Sequence, residues 1–568
     1  MASSADSRAL ATWLATQNDA VLSAVLAERG ASPNASWADF FDAAEALQDA
    51  PALTRALASL PRPLAEALAA VADGGTAPEP ARSALTTRAL VAPDGSAYPA
   101  VAAAVATMAP VAPAAPEPAA GATESDAAAA ERAFTAAATL AEILQLALTS
   151  PLARIGSGAL GASERRRLLE AGIVDDPATA DELVAVAATT GLAAPTGKEW
   201  LVTADGLQWL QAGSVARWDE VARRLRDALP AGLRADGAGW IAVGDWPRAY
   251  PFDPSWPERA EQWRSLLHRW AMVGADGHSV PWAAGLAAGG DADLEALRAL
   301  LPPEVDKVFL QNDLTAIAPG PLAPHLDLRL RTMALRESRA QASSYRFTPE
   351  SIGAAITLGE TAESMRAFLT ELSLTGLPQP LAYEIERTAA RHGLVKVVDD
   401  PSGLTLVRSD DPAVLDTLAV DQALRSLGLM RHAEGLASRS NPDAVFWMLA
   451  DARYPVSMHD ASGTARTVQR HRLAQPGEPA SDPYAPLLER LRAAHESDSD
   501  AAWLGRELEH AVRAKALITV TVRLPDGSTR AFTLEASGLG GGRLRGRDKA
   551  ADVERTLPVA SIESVHPV

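Results

Sequence analysis

The stretch from Phe347 to Val407 constrains the chain most, because it packs three helix starts, three helix stops and a hairpin into a short span. Thr348 offers a hydroxyl to an orphan helix amide, and Pro349 stands at the first helical position, where its missing N–H costs nothing. The apolar face of this helix is Ile352, Ala355 and Ile356. Thr361 opens a second helix with Phe368, Leu369 and Leu372 at the spacing of a buried stripe, and Gly376-Leu377-Pro378 turns the chain. A third helix runs from Gln379 to His392, buries Leu381, Ile385 and Ala389, and stops at Gly393. Gln379, Tyr383, Arg387 and Arg391 then point away from that stripe. A hairpin follows, Leu394 to Val398, a turn through Asp399-Asp400-Pro401-Ser402-Gly403, and Leu404 to Val407. Three helices and a two-stranded wing spell a winged helix at 347–408, a layout that lets a compact module push one helix into a DNA groove.

The rest of the chain must form other units. At 568 residues it exceeds the size at which one core stops growing, so about three to five domains are expected. Hydrophobic residues make up 48% but aromatics only 5%, a balance set by Ala, which suits helix. A mainly α, multidomain α+β architecture follows. The net charge of -19 argues against indiscriminate coating of nucleic acid, so any DNA contact must be local. Only five of the 52 basic residues are Lys; Arg is the better fork for phosphate and guanine, and it is equally tolerated as a plain surface residue. With no Cys there is no disulfide, thiolate zinc site or thiol nucleophile. The start, Met-Ala-Ser-Ser-Ala-Asp, lacks a basic region followed by an apolar run, and no stretch approaches the ~20 apolar residues of a membrane span. The sequence therefore predicts a cytoplasmic protein with no membrane partner.

Periodicity divides the chain. Residues 1–108 read as a helical domain, with Leu10, Trp13 and Leu14, then Leu64, Leu68 and Val71, at helical spacing. Residues 109–126 carry Pro110, Pro113, Pro116 and Pro118 among small residues and read as a linker. Residues 127–229 form a second, winged-helix-like helical domain whose short helix bears Arg165, Arg166 and Arg167, a DNA-facing set or a solvated face. Residues 230–306 are a Trp- and Pro-rich connecting region in which the rings are expected to pack on one another. Residues 307–471 combine the winged helix with a small α/β layer, 472–500 read as a linker, and 501–568 as a small β-barrel-like domain. In that last domain Arg543, Arg545 and Arg547 fall on one face of a strand.

Catalytic signatures are missing from the sequence. Gly156-Ser157-Gly158-Ala159-Leu160-Gly161 has the letters of a dinucleotide loop, but a long helix and Pro151 precede it where a buried strand is required. Gly197-Lys198 is followed by Glu199 and so fails as a phosphate loop, and Asp181-Glu182 and Asp219-Glu220 lie in amphipathic helical surroundings. The ten His are scattered singly. The expectation is a chain that is not an enzyme, with no metal and no cofactor.

Phe309-Leu310-Gln311-Asn312-Asp313-Leu314, Ala318-Pro319-Gly320-Pro321-Leu322, Tyr345-Arg346-Phe347-Thr348-Pro349, Leu377-Pro378-Gln379-Pro380-Leu381 and Leu406-Val407-Arg408-Ser409-Asp410-Asp411-Pro412 resemble the helicase-associated family. In that family this region is related to the N-terminal, non-motor domain of XPB-type DNA helicases. The tail, through Gly540-Gly541-Gly542-Arg543-Leu544 and Arg547-Asp548, is similar to WYL-type domains, although the Trp-Tyr-Leu signature is missing. The resemblance implies a DNA-linked role; the sequences of ATPase lobes are not found, so helicase activity does not carry over. The sequence reading is thus a non-catalytic DNA-binding accessory protein for duplex or forked DNA, working with a separate helicase or nuclease subunit. Gln379 or Arg387 would meet base edges, Arg391 and Lys396 phosphate, with Tyr383 on the same DNA-binding face, and Arg543, Arg545 and Arg547 would meet a second anionic group. The rival is a protein-interaction scaffold or a ligand-sensing transcriptional regulator acting through the WYL-like tail.

Overall fold

The computed structural model describes residues 4–108, 124–235, 238–339, 343–400, 403–466, 472–475, 482–497, and 504–549 and 551–567 apart from 506, 507, 510, 514, 525 and 526. The Pro-rich stretch 109–123 lies outside the described residues.

The first unit is helical from Ser4–Thr16 to Pro99–Thr107, around Leu10, Leu14, Val25, Phe40, Leu57 and Leu68. Its centre holds a charge. Arg29, 2% exposed, donates to the carbonyls of Leu47, Arg88 and Ala89 at helix ends that would otherwise be orphaned. Burial, helped by the nearby Arg55, pushes its guanidinium down to about 10. The span 472–500, read from its prolines as a linker, contains the helix Ala485–Ser497, which inserts Leu487, Leu488 and Leu491 into this same core. Arg492 donates to the Ala15 carbonyl at 2.7 Å and pairs with Asp19 at 3.1 Å. Pro486 at the second helical position does not break this helix, because no intrahelical N–H is needed there.

The second unit is built on the helix Asp126–Thr149, packed against Pro177–Thr189 and Ser214–Ala228 and a three-stranded antiparallel sheet ordered 152–153, 199–202, 193–196. The Trp-rich stretch continues the same core: Trp209, Trp218, Trp246, Trp256, Trp270 and Trp282 are all essentially inaccessible. Trp218 and Trp270 each donate an indole N–H to the other's backbone carbonyl, at 2.6 and 2.9 Å. The predicted ring packing is found, and residues 127–306 share one core where two segments were drawn.

Within this unit, burial and the surrounding Arg132, Arg264 and Arg269 push the His268 imidazole down to about 4. Unfolded, it titrates near ~6.5. As pH falls from there toward about 4 the unfolded chain takes up a proton that the folded chain refuses, so stability present above that window is lost through it. Thermal unfolding followed from pH 7 to pH 4 is expected to show a steeper loss for the wild type than for His268→Gln; parallel profiles would contradict this.

The third region has two layers. A four-stranded antiparallel sheet, ordered 309–310, 315–318, 343–346, 335–339, packs with the helices Pro324–Met333, Pro349–Thr357, Ala362–Leu372 and Gln379–Arg391 around Val308, Tyr345, Phe347, Ile352, Phe368 and Leu381. Thr348 and Thr361 cap their helices as expected, each in a reciprocal box with a serine, Ser351 and Ser364. The hairpin Val395–Asp399 and Thr405–Arg408 forms in register, Val397 opposite Val407, but it does not stand free as a wing. It fills the centre of a six-stranded sheet ordered 430–432, 435–438, 405–408, 395–399, 456–459, 465–466. Its inward Val395, Val397 and Val407 pack under Leu418, Phe446 and Leu449, in a core separate from that of the three helices.

The tail is a five-stranded antiparallel sheet ordered 553–558, 543–548, 529–540, 517–523, 562–567. Only the turn Val559–Ser561 carries the chain from one edge strand to the other. Four flat strand spacings would need about 19 Å, more than the ~14 Å that four extended steps reach, so the sheet is curled. Its edge strands do not pair with each other among the described residues, so the tail is a curled open sheet where a barrel-like domain is expected.

Candidate nucleic-acid interface

The helix Gln379–Arg391 starts with Pro380 in its first turn and buries Leu381, Glu384 and Ile385. That leaves Gln379, Tyr383, Arg387 and Arg391 outward, all four exposed, with Tyr383 66% accessible. The ridge is therefore open, but its charge is largely balanced. Arg387 donates to Glu384 at 2.8 Å, Glu386 accepts from Arg366 at 2.7 Å, and Arg391 has no acidic partner among the described residues. Lys396 lies on the neighbouring strand, half-buried, its ammonium 3.5 Å from Asp410. Directly across from it on the same sheet face stands Arg408, and on the other side Ser457, whose hydroxyl lies 2.9 Å from Nε2 of His459.

The other two arginine sets differ from the sequence reading. On the helix Ala162–Glu170, Arg165 is held by Asp181 at 2.8 Å and Arg167 by Glu164 at 2.7 Å and the Ser150 carbonyl at 3.1 Å. Arg166 alone of the three is exposed without a partner among the described residues, so the triplet does not present one basic face. Arg543, Arg545 and Arg547 do alternate outward between buried Leu544, Gly546 and Asp548. Arg547 pairs with Asp552 at 2.7 Å, and Arg543 and Arg545 have no acidic partner among the described residues. The three sets sit over three different cores.

Two features escaped the sequence. Glu142, on the long helix of the second unit, accepts from Arg331 at 2.7 and 3.0 Å and from Arg336 at 2.6 Å, clamping that unit to the third region. Beside it Tyr345 donates to Asp327 at 2.5 Å, and burial together with that carboxylate pushes the phenol far up. The second feature is a cleft of about 1140 Å³ whose walls come from seven separated stretches and include Leu146, Ile173, Leu328, Gly353, Arg387 and Arg391. His392, also lining it, is held below the ordinary imidazole range by burial. Nothing local marks residues that meet across such distances.

The glycine run at 156–161 forms a tight loop closed by a bridge between Arg154 and Leu160, and its Gly158 carbonyl accepts from the Trp200 indole at 3.0 Å. Among the described residues there is no group of three His, Asp or Glu placed to hold a metal ion, and no helix is long and apolar enough to cross a membrane.

Residues 308–433, which hold the exposed helix and the hairpin, match the family described as helicase conserved C-terminal domain. Over 102 residues the chain is 35% identical to the DNA 3'-5' helicase XPB of Kineococcus radiotolerans, covering 18% of this chain. The chain spans 17% of the length of that curated relative.

Proposed function

We propose that the chain is a helicase-related, DNA-associated accessory protein that contributes no motor or chemistry of its own and serves a separate helicase or nuclease subunit in the cytoplasm. One observation carries this reading: the span that matches a helicase family is the one that leaves Gln379, Tyr383, Arg387 and Arg391 uncovered along one helix. With the two helices before it, that helix would act as a groove reader without a free wing, Gln379 or Arg387 meeting base edges, Tyr383 packing on a sugar or base, and Arg391 and Lys396 meeting phosphate. Because most neighbouring cations are already paired, binding would be local, with a shallow salt dependence set by the few phosphate contacts.

A second reading has one specific observation in its favour. Arg543 and Arg545 stand unpaired on the outer face of a curled sheet that resembles a WYL-type sensor, and they would take a second anionic group. Fluorescence anisotropy of labelled duplex, forked and single-stranded oligonucleotides over a salt series tests the main proposal. Binding to duplex or fork at low salt that weakens as salt rises is expected; no binding at low salt would remove it.

A further inference from the structure

We propose that the cleft between the helices Asp126–Thr149, Pro349–Thr357 and Gln379–Arg391 binds a small amphipathic anion, its acidic group on Arg391 and its apolar body along Leu146, Leu148, Ile173 and Leu328. The inference shares Arg391 with the DNA reading but does not need DNA, and a titration of the chain without DNA separates the two.

The size is right for such a ligand. At about 1140 Å³ the cleft lies just above the ~300–1,000 Å³ of small-molecule sites. Its charges select the sign. Arg331 is neutralised by Glu142, Arg329 by Glu360 and Arg387 by Glu384, whereas Arg391 and Arg453, both exposed, have no ion-pair partner among the described residues. One anionic group is therefore accommodated at Arg391. A polyphosphate strand is not, since Glu350 and Asp451 also line the walls.

Gly353 supplies an independent argument. It sits in the interior of the helix Pro349–Thr357, where glycine is unfavourable, with an ordinary helical backbone. A Cβ there would meet only the Thr388 methyl, at 3.9 Å, so nothing in the packing requires glycine. What the missing side chain does is keep the wall between the Pro349–Thr357 and Gln379–Arg391 helices open.

The probe is 8-anilinonaphthalene-1-sulfonate, an apolar ring system with one sulfonate, titrated into the full chain without DNA. A saturable one-site fluorescence rise is expected, weakened about tenfold or more by Arg391→Glu and by Gly353→Leu. Arg55→Glu in the first helical unit should leave it unchanged, and Gly353→Ala should retain binding while raising the unfolding midpoint. Inorganic phosphate should not displace the probe. If Gly353→Leu lowers the unfolding midpoint, Arg391→Glu decides alone, because that side chain is exposed and outside every core. Affinity unchanged in Arg391→Glu, no saturable binding by the wild type, or displacement by phosphate would each overturn the proposal.

Discussion

Glu142→Ala is expected to destabilise the chain by about 3 kcal/mol, at the lower end of the range for breaking a buried ion pair. The carboxylate is 9% exposed and is shared by two guanidiniums that come from a different part of the chain. Its removal would leave Arg331 with Asp327, 3.8 Å away, as its acidic partner among the described residues, and would take from Arg336 a carboxylate that the Ser343 hydroxyl at 2.9 Å does not replace. Both arginines keep about a fifth of their side-chain surface in water, which is why the upper end of the range is not expected. Urea unfolding followed by far-UV circular dichroism measures the loss, and Glu142→Gln, which retains an acceptor, should fall between the two. A midpoint unchanged in Glu142→Ala would mean that the clamp does not join the second unit to the third region.

Trp270→Ala is expected to cost about 3–5 kcal/mol, the range for deleting a large buried aromatic ring. Trp270 is 0% exposed, and its loss would also remove the indole N–H that the Trp218 carbonyl accepts. Trp270→Phe separates the two contributions: most of the ring volume stays, while the hydrogen bond, worth roughly 1 kcal/mol, goes. Calorimetry on the two variants should give a large shift for Ala and a smaller one for Phe. Equal shifts would assign the stabilisation to the hydrogen bond and not to packing.

The sequence conveyed local order well because local order has local causes. Thr348 and Thr361 announce their helices through capping chemistry that acts within three residues, and the alternation of Arg543, Arg545 and Arg547 with Leu544 is a period-two pattern readable on one strand. The Trp-rich stretch likewise declared its packing through bulk and prolines. What stayed hidden depends on distant partners. The hairpin 395–408 reads as a wing until the strand Val456–His459 pairs with it in parallel and the strand Gly435–Ser438 covers its other edge. The helix Ala485–Ser497 was masked by the prolines around it, although Leu487, Leu488 and Leu491 carry helical spacing. The arginines at 165–167 looked alike, yet Asp181 and Glu164 neutralise two of them, and only the fold sets that pairing. The cleft had no sequence signal, since its walls are ordinary helix positions until they meet.

The comparison that bears most directly on the DNA-reading helix is the salt dependence of duplex affinity for the wild type beside Arg387→Ala/Arg391→Ala. Each phosphate contact contributes about 0.9 to the slope of log affinity against log salt, and Arg391 is the phosphate contact of this pair, so the double variant should bind more weakly with a slope shallower by about one. Identical slopes and affinities in the two proteins would contradict the assignment of this ridge to nucleic acid.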